Sequence, residues 1–343
     1  MVTRLSSMGA KKLSKNLSIT AFDQGMVAMC DYGDFHKMAK RHIVKSVLGP
    51  IALKQYRAHR DTLIDNLVRK FHAHVKKSGL QPVIFRNIFG SELFGLGMKE
   101  AFGRDVDYMQ VEELGRLSRR EMYKILIDDP VEIALQYIDW GDFFPFLKWI
   151  PQRNFARKVE KMVFRRLAVV KAIMKEQSKR LASGEEMNCY LKYLLTEGKS
   201  LTEKQIAGLL WEVLIETTHT SMTTGEWAMF ELAKNQKMQI AINLYGCNMD
   251  ESTWEKPEEW NPERFLDQKK YAPSDLFKTM AFGWGQRLCS GALQSSLVVC
   301  TTIGRLVQEY EWRLVDGEEE DVEIVGIINE KLCPMRVVIR PRN

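Results

Sequence analysis

The chain has 343 residues, 45% hydrophobic and 27% charged, enough for a substantial core in one large domain or two ordinary ones. Its net charge of +6 comes from interspersed basic and acidic residues. That balance reads as a solvated surface or as a basic docking face for an acidic protein, and no aromatic-plus-basic motif argues for nucleic acid.

Cys30, Cys189, Cys247, Cys289, Cys300 and Cys333 are scattered, with no CxxC pair and no histidine at zinc-finger spacing. This excludes a zinc finger, makes a disulfide framework a poor fit and favours a reducing compartment. Residues 1–15 are basic and hold no apolar run, so the chain is expected to carry no signal peptide and no anchor helix of its own.

The pattern is mainly helical, with a small β component at the end. A basic helix is predicted over 35–48. A second spans 56–77, with Leu63, Ile64, Leu67, Phe71 and Val75 at three- and four-residue steps. The aromatic stretch 139–151 reads as a loop that packs as core, caps a pocket or touches a membrane. A long basic amphipathic helix over 155–181 ends at Ala182-Ser183-Gly184. Residues 201–234 form one long helix with Thr202 as N-cap and Glu203 in the first turn. Its apolar run marks it as buried, and the succession Thr217-Thr218-His219-Thr220-Ser221 then requires partners, water or a ligand. A helix over 292–308 and a strand pair within 331–340 close the chain, and no repeat is visible.

The segment Phe282-Gly283-Trp284-Gly285-Gln286-Arg287-Leu288-Cys289-Ser290-Gly291 matches F-x-x-G-x-R-x-C-x-G at every fixed position. At average residue usage such a match arises by chance in a chain of this length about once in ten thousand. If it is a haem loop, each residue has a physical task. Cys289 must be a thiolate to ligate iron, and a thiolate pushes electron density toward O–O cleavage. Gly283, Gly285 and Gly291 let backbone approach a flat macrocycle. Backbone N–H groups and the N-terminus of the following helix stabilise the sulfur charge. Arg287 suits a haem propionate and Phe282 shields the sulfur. The bland alternative is a buried free cysteine beside a turn.

The segment resembles the haem-thiolate signature of cytochrome P-450 enzymes, and the resemblance runs through nearly the whole chain. Asn261-Pro262-Glu263-Arg264-Phe265 resembles the family's PERF segment. Tyr32-Gly33-Asp34-Phe35-His36-Lys37 resembles the start of the helix that meets the haem propionates, which places His36 and Lys40 at the tryptophan and arginine positions. Glu216-Thr217-Thr218-His219-Thr220-Ser221 resembles the oxygen-binding helix. This puts Thr220 at the position that bonds oxygen and relays protons, and His219 in place of the usual acid. Asp31 to Met38, Glu226 to Met229, Asn243 to Met249 and Gly304 to Trp312 are similar to the plant ent-kaurene oxidase group.

The resemblance implies an incomplete cytochrome P-450 fold, mainly α, as one domain over residues 1–343. It implies haem with an axial cysteine thiolate, dioxygen, an NADPH-dependent flavoprotein reductase and a diterpene substrate of gibberellin or related synthesis. It also implies the cytosolic face of the endoplasmic reticulum or the plastid envelope. Against the family, the anchor, the first helix and most of the N-terminal sheet are missing. So is the helix bearing E-x-x-R, lost at a junction near 239–240. Glu113-Leu114-Gly115-Arg116 matches E-x-x-R in the wrong place. Without that helix, Arg264 is expected to lose its ion partners, at about 3–5 kcal/mol if it stays buried. Two readings follow: a monooxygenase, or a truncated and inactive relative binding haem weakly or not at all, which the missing segments favour. Lys37, Lys40, Arg41, Lys45, Lys269, Lys270 and Lys278 are candidates for docking an acidic reductase.

Overall fold

The computed structural model describes residues 15–23, 25–136, 153–234, 281–282, 288–317, 324–325, 330–331 and 333–342. It is mainly helical, as the sequence predicts. The expected helix over 35–48 is an α-helix, Asp34–Ile43, running into a π-helical turn, Val44–Leu48. The helix expected over 56–77 is Arg57–Ser78, and it buries Leu63, Ile64, Leu67 and Phe71 as their spacing requires. The long basic helix is Arg153–Ala182; Gly184 follows it at φ 88°, a left-handed conformation that glycine adopts without a steric penalty.

The buried helix begins at Glu203. Thr202 caps it with a capping box, its hydroxyl accepting from Gln205 N–H while the Gln205 side chain accepts from Thr202 N–H. The helix is Glu203–Ile215, a π-helical turn Glu216–Thr220, then Ser221–Lys234. Such a turn, often found at functional sites, falls here on the run of small polar residues.

The helix Phe85–Phe102 is buried on all sides. Two apolar clusters make the core, and this helix contributes to both: Phe94, Met98, Ala101 and Phe102 to one, Phe85, Phe89, Leu93 and Leu96 to the other. Glycines bring it close to the buried helix. A Cβ at Gly97 would lie 3.3 Å from Leu214 Cα, and one at Gly225 would lie 2.4 Å from Phe89 Cε1.

The C-terminal strands differ from expectation. Glu330–Lys331 and Arg336–Pro341 are strands, but they do not pair with each other. Arg336–Pro341 lies between Val83–Ile84 and Tyr310–Leu314 in an antiparallel sheet, with Val83 opposite Val337 and Trp312 opposite Ile339. Glu330–Lys331 pairs with Ile324–Val325. The long aromatic side chains explain the choice, since Trp312 and Phe85 bury against the sheet and Phe71 lies edge-on to Trp312 at 5.4 Å. The Glu113/Arg116 match sits on a hairpin of Tyr108–Val111 and Gly115–Ser118, with both side chains exposed and Arg116 over the Tyr108 ring at 4.4 Å. It is no part of a buried ion network, as its place in the sequence suggested. The aromatic stretch 139–151 and Arg264 lie outside the described residues.

A buried ion pair joins sheet and helices. Arg86 Nε donates to Glu226 Oε2 at 2.8 Å, and Met335 N–H donates to Glu226 Oε1 at 3.0 Å. Arg86 Nη2 also donates to Lys331 O at 3.1 Å. Removing Glu226 takes the carboxylate from Arg86 and leaves the buried Met335 N–H without its acceptor. In urea denaturation, Glu226→Ala is expected to lower stability by about 3–5 kcal/mol, against about 1 kcal/mol for the exposed cap change Thr202→Ala.

Candidate active site

Cys289 sits two residues ahead of Gly291, the N-cap of the helix Ala292–Glu309. Its N–H donates to Phe282 O at 2.9 Å, which closes the loop on the half-buried Phe282. Gly283 to Arg287, and so the predicted Gly285 and Arg287, lie outside the described residues. The sulfur lies near the helix end, where the peptide N–H groups of Gly291 and Ala292 favour its thiolate. A Cβ on Gly291 would stand 3.8 Å from that sulfur, an ordinary contact, so Gly291 is not required by crowding at this point.

Cys289 is an exposed residue. Protein nevertheless displaces enough water from its sulfur to push the thiol pKa above the ordinary cysteine value. The Glu216 carboxylate pushes the same way, while Lys40 and the two backbone N–H groups oppose it. Glu216 and Lys40 therefore act on the same sulfur from opposite elements. A single soft sulfur of this kind, exposed and supported by peptide N–H groups, fits an iron whose remaining ligands come from a macrocycle. Ligation takes the thiolate and releases its proton.

The other predicted residues distribute unevenly. Lys40 Nζ donates to Leu288 O at 2.8 Å, so it binds the backbone next to Cys289, a role sequence alone did not suggest. His36 is 2% exposed, with its ring 5.2 Å from that of Tyr32. It belongs to the interior of its helix packing. Thr220 is exposed, and its hydroxyl donates to Glu216 O at 2.7 Å, one turn back on the same face. His219 is buried, 3% exposed, on a different side of the π-helical turn. The structure thus brings Cys289, Phe282 and Lys40 together and sets Thr220 on the Glu216 side, while His36 and His219 are interior.

The small polar run also finds partners, as its burial demands. Thr218 Oγ1 donates to Leu214 O at 2.7 Å, and Thr217 Oγ1 donates to Glu100 Oε2 at 3.3 Å. Sequence reasoning missed Glu100, which reads as a surface residue beside Lys99. It also missed Glu212, which accepts from Val27 N–H at 2.8 Å and Ala28 N–H at 2.6 Å. The one available signal was an acid within the apolar run Leu209 to Ile215.

The family model for Cytochrome P450 matches residues 4–241 and 236–329. The chain belongs to the cytochrome P450 family. It is similar to an ent-kaurene oxidase of Salvia miltiorrhiza, 44% identical over 100% of this chain and 78% of that protein. It is also similar to ent-kaurene oxidase-like 3 of Oryza sativa subsp. japonica, 39% identical over 100% of this chain and 80% of that protein. An ent-sandaracopimaradiene 3-hydroxylase of the same rice is 34% identical over 100% of this chain and 80% of that protein. As a P450, the chain is a monooxygenase of a family that binds haem through a cysteine thiolate and takes electrons from a redox partner to oxidise an organic substrate with dioxygen. Among the described residues no helix is long and apolar enough to cross a membrane.

The opposed influences on Cys289 are separable without haem. In alkylation followed by mass spectrometry across pH, the Cys289 midpoint is expected above that of free cysteine. Glu216→Gln should lower it, and Lys40→Met should raise it.

Proposed function

We propose that this P450 is a haem-thiolate monooxygenase of the ent-kaurene oxidase type, oxidising a diterpene hydrocarbon stepwise at one methyl carbon in gibberellin or related diterpenoid synthesis. The observation that carries the proposal is Cys289 itself: an exposed cysteine just ahead of a helix N-terminus, in a loop closed by its N–H donating to Phe282 O. The substrate class rests on the names of the relatives, which include both ent-kaurene oxidases and an ent-sandaracopimaradiene hydroxylase.

In this reading Cys289 would hold the haem iron through its thiolate. Phe282 keeps water from the sulfur, and Gly285 and Gly291 keep the loop thin. Arg287 and His36 are donors for the propionates, and Lys40 divides its ammonium between that task and Leu288 O. Haem, when bound, supplies the activation of dioxygen. The Thr220 hydroxyl, resting on Glu216 O, turns outward to hold a proton over the site, with the His219 imidazole behind it in place of an acid. An NADPH-dependent flavoprotein reductase docks on the basic surface of Lys37, Lys40, Arg41 and Lys45. Lys37 pairs only loosely with Asp34, at 4.0 Å, and Lys45 lies 5.7 Å from the Tyr193 ring centroid. Lys269, Lys270 and Lys278 lie outside the described residues. The site of action is the endoplasmic reticulum membrane or the plastid envelope.

A second reading, an inactive relative, has its own support. The family model matches in two stretches that overlap at residues 236–241, and the Salvia alignment runs over 409 positions for a chain of 343 residues. We place the junction near 239–240, where the E-x-x-R helix drops out.

One experiment decides between them. The full chain, expressed with haem, reduced and exposed to carbon monoxide, is expected to show the red-shifted thiolate Soret band and to turn over a diterpene with reductase present. Retained haem without turnover, or no haem at all, selects the inactive relative. Cys289→Ser is expected to abolish the thiolate band; a band that persists assigns the iron to another ligand.

A further inference from the structure

Glu100 lies in the helix Phe85–Phe102 and is 0% exposed. Its Oε2 accepts from Gln294 Nε2 at 2.8 Å and from Thr217 Oγ1 at 3.3 Å. Those partners belong to the two elements that flank the site. Gln294 stands in the first turn of the helix that follows Cys289, five residues along, and Thr217 stands in the π-helical turn that carries Thr220. One carboxyl group therefore touches both sides of the site without touching Cys289 itself.

The protonation state follows from the surroundings. Glu100 Oε1 and Gln294 Oε1 are both buried acceptors without a hydrogen-bond partner. A carboxylate here would hold a full charge with one oxygen bare, and neither Gln294 nor Thr217 is charged. Among the described residues, two titratable groups face it from the preceding helix, Arg57–Ser78, and the turn before that helix. The Tyr56 phenol is neutral, and the Arg60 guanidinium already donates Nη2 to Leu53 O. Arg60 attracts the carboxylate less than either hydrogen bond does, and burial outweighs all three, raising the Glu100 pKa to about 7. Protonated on Oε1, Glu100 holds no charge here, while its Oε2 goes on accepting from Gln294 Nε2 and Thr217 Oγ1.

We propose that Glu100 is a positioning residue: as a neutral carboxylic acid, it registers the Cys289-bearing helix against the π-helical turn that carries Thr220. The consequence at Cys289 rests on the haem-thiolate reading; the clamp itself does not. Deprotonation leaves a bare charge between three helices and loosens the register. A group whose folded pKa is raised binds its proton more tightly folded than unfolded. Its stabilisation is complete below the unfolded carboxyl value and is lost as pH rises through about 7. Glutamine keeps the shape and stays neutral at every pH.

The test compares the full-length wild-type chain with Glu100→Gln and Glu100→Leu, first without haem. Thermal midpoints of wild type and Glu100→Gln are expected to coincide below about pH 4, to separate between about pH 4.5 and 7 with wild type the lower, and to keep that gap above. A constant difference across pH, or a wild type that gains on Glu100→Gln above neutrality, overturns the proposal. With haem, the carbon monoxide Soret band of Glu100→Gln is expected to match wild type, whereas Glu100→Leu loses amplitude at the thiolate position. An unchanged band in Glu100→Leu overturns the positioning role. If wild type itself retains no haem, the haem-thiolate reading fails, while the thermal curves still decide the clamp.

Discussion

The helix from Glu203 to Lys234 runs through the interior, where a polar side chain is costly unless it meets a partner. That constraint organises the molecule at three levels. Near its start, Glu212 accepts the N–H groups of Val27 and Ala28 and holds the N-terminal loop. At its middle, Thr217 reaches Glu100 and, through it, Gln294 of the helix that begins beyond Cys289. Near its end, Glu226 takes Arg86 and the N–H of Met335, tying in the C-terminal sheet. An apolar helix of the same length would fill the volume but would leave these three attachments unspecified.

The same helix shows how far a sequence can be read. Its ends were legible because they are local: Thr202 and Gln205 stand three residues apart and satisfy each other's backbone. Its burial was legible from the apolar run. The π-helical turn at 216–220 was not, because the inserted residue leaves composition unchanged and alters only which neighbour each side chain faces. The Cys289 loop was legible because five residues within ten carry it. Lys40 was recognised as a cation near the site, yet its partner, Leu288 O, is a backbone atom 248 residues away that no side-chain pattern marks. The pairing of Val83 with Val337 escaped for the same reason, and adjacency in sequence wrongly favoured 331 with 336–340.

The site joins residues of opposite electrostatic effect around one sulfur. Glu216 and the loss of water hold the proton on Cys289, while Lys40 and the peptide dipoles draw it off. A ligand cysteine that stays protonated until its iron arrives is less open to oxidation than a free thiolate, because the thiolate is the reactive form. Relatives at 44% and 39% identity fix the family, and the geometry around Cys289 says what this particular chain brings to it.

The two core clusters also differ in when they can exist. Among the described residues, the first takes every buried member from Ala21 to Leu214, a continuous stretch of the chain. The second joins residues 63–96 and 222–233 to residues 298–339. During synthesis the first can condense while the remainder is still being translated, whereas the second waits for the last strand to leave the ribosome. The helix Phe85–Phe102, shared by both, then stands with one face packed and the other short of its C-terminal partners, the Phe85 ring still without Trp312. A ribosome that stalls in the final third releases a chain with that aromatic face open, the kind of surface that chaperones hold.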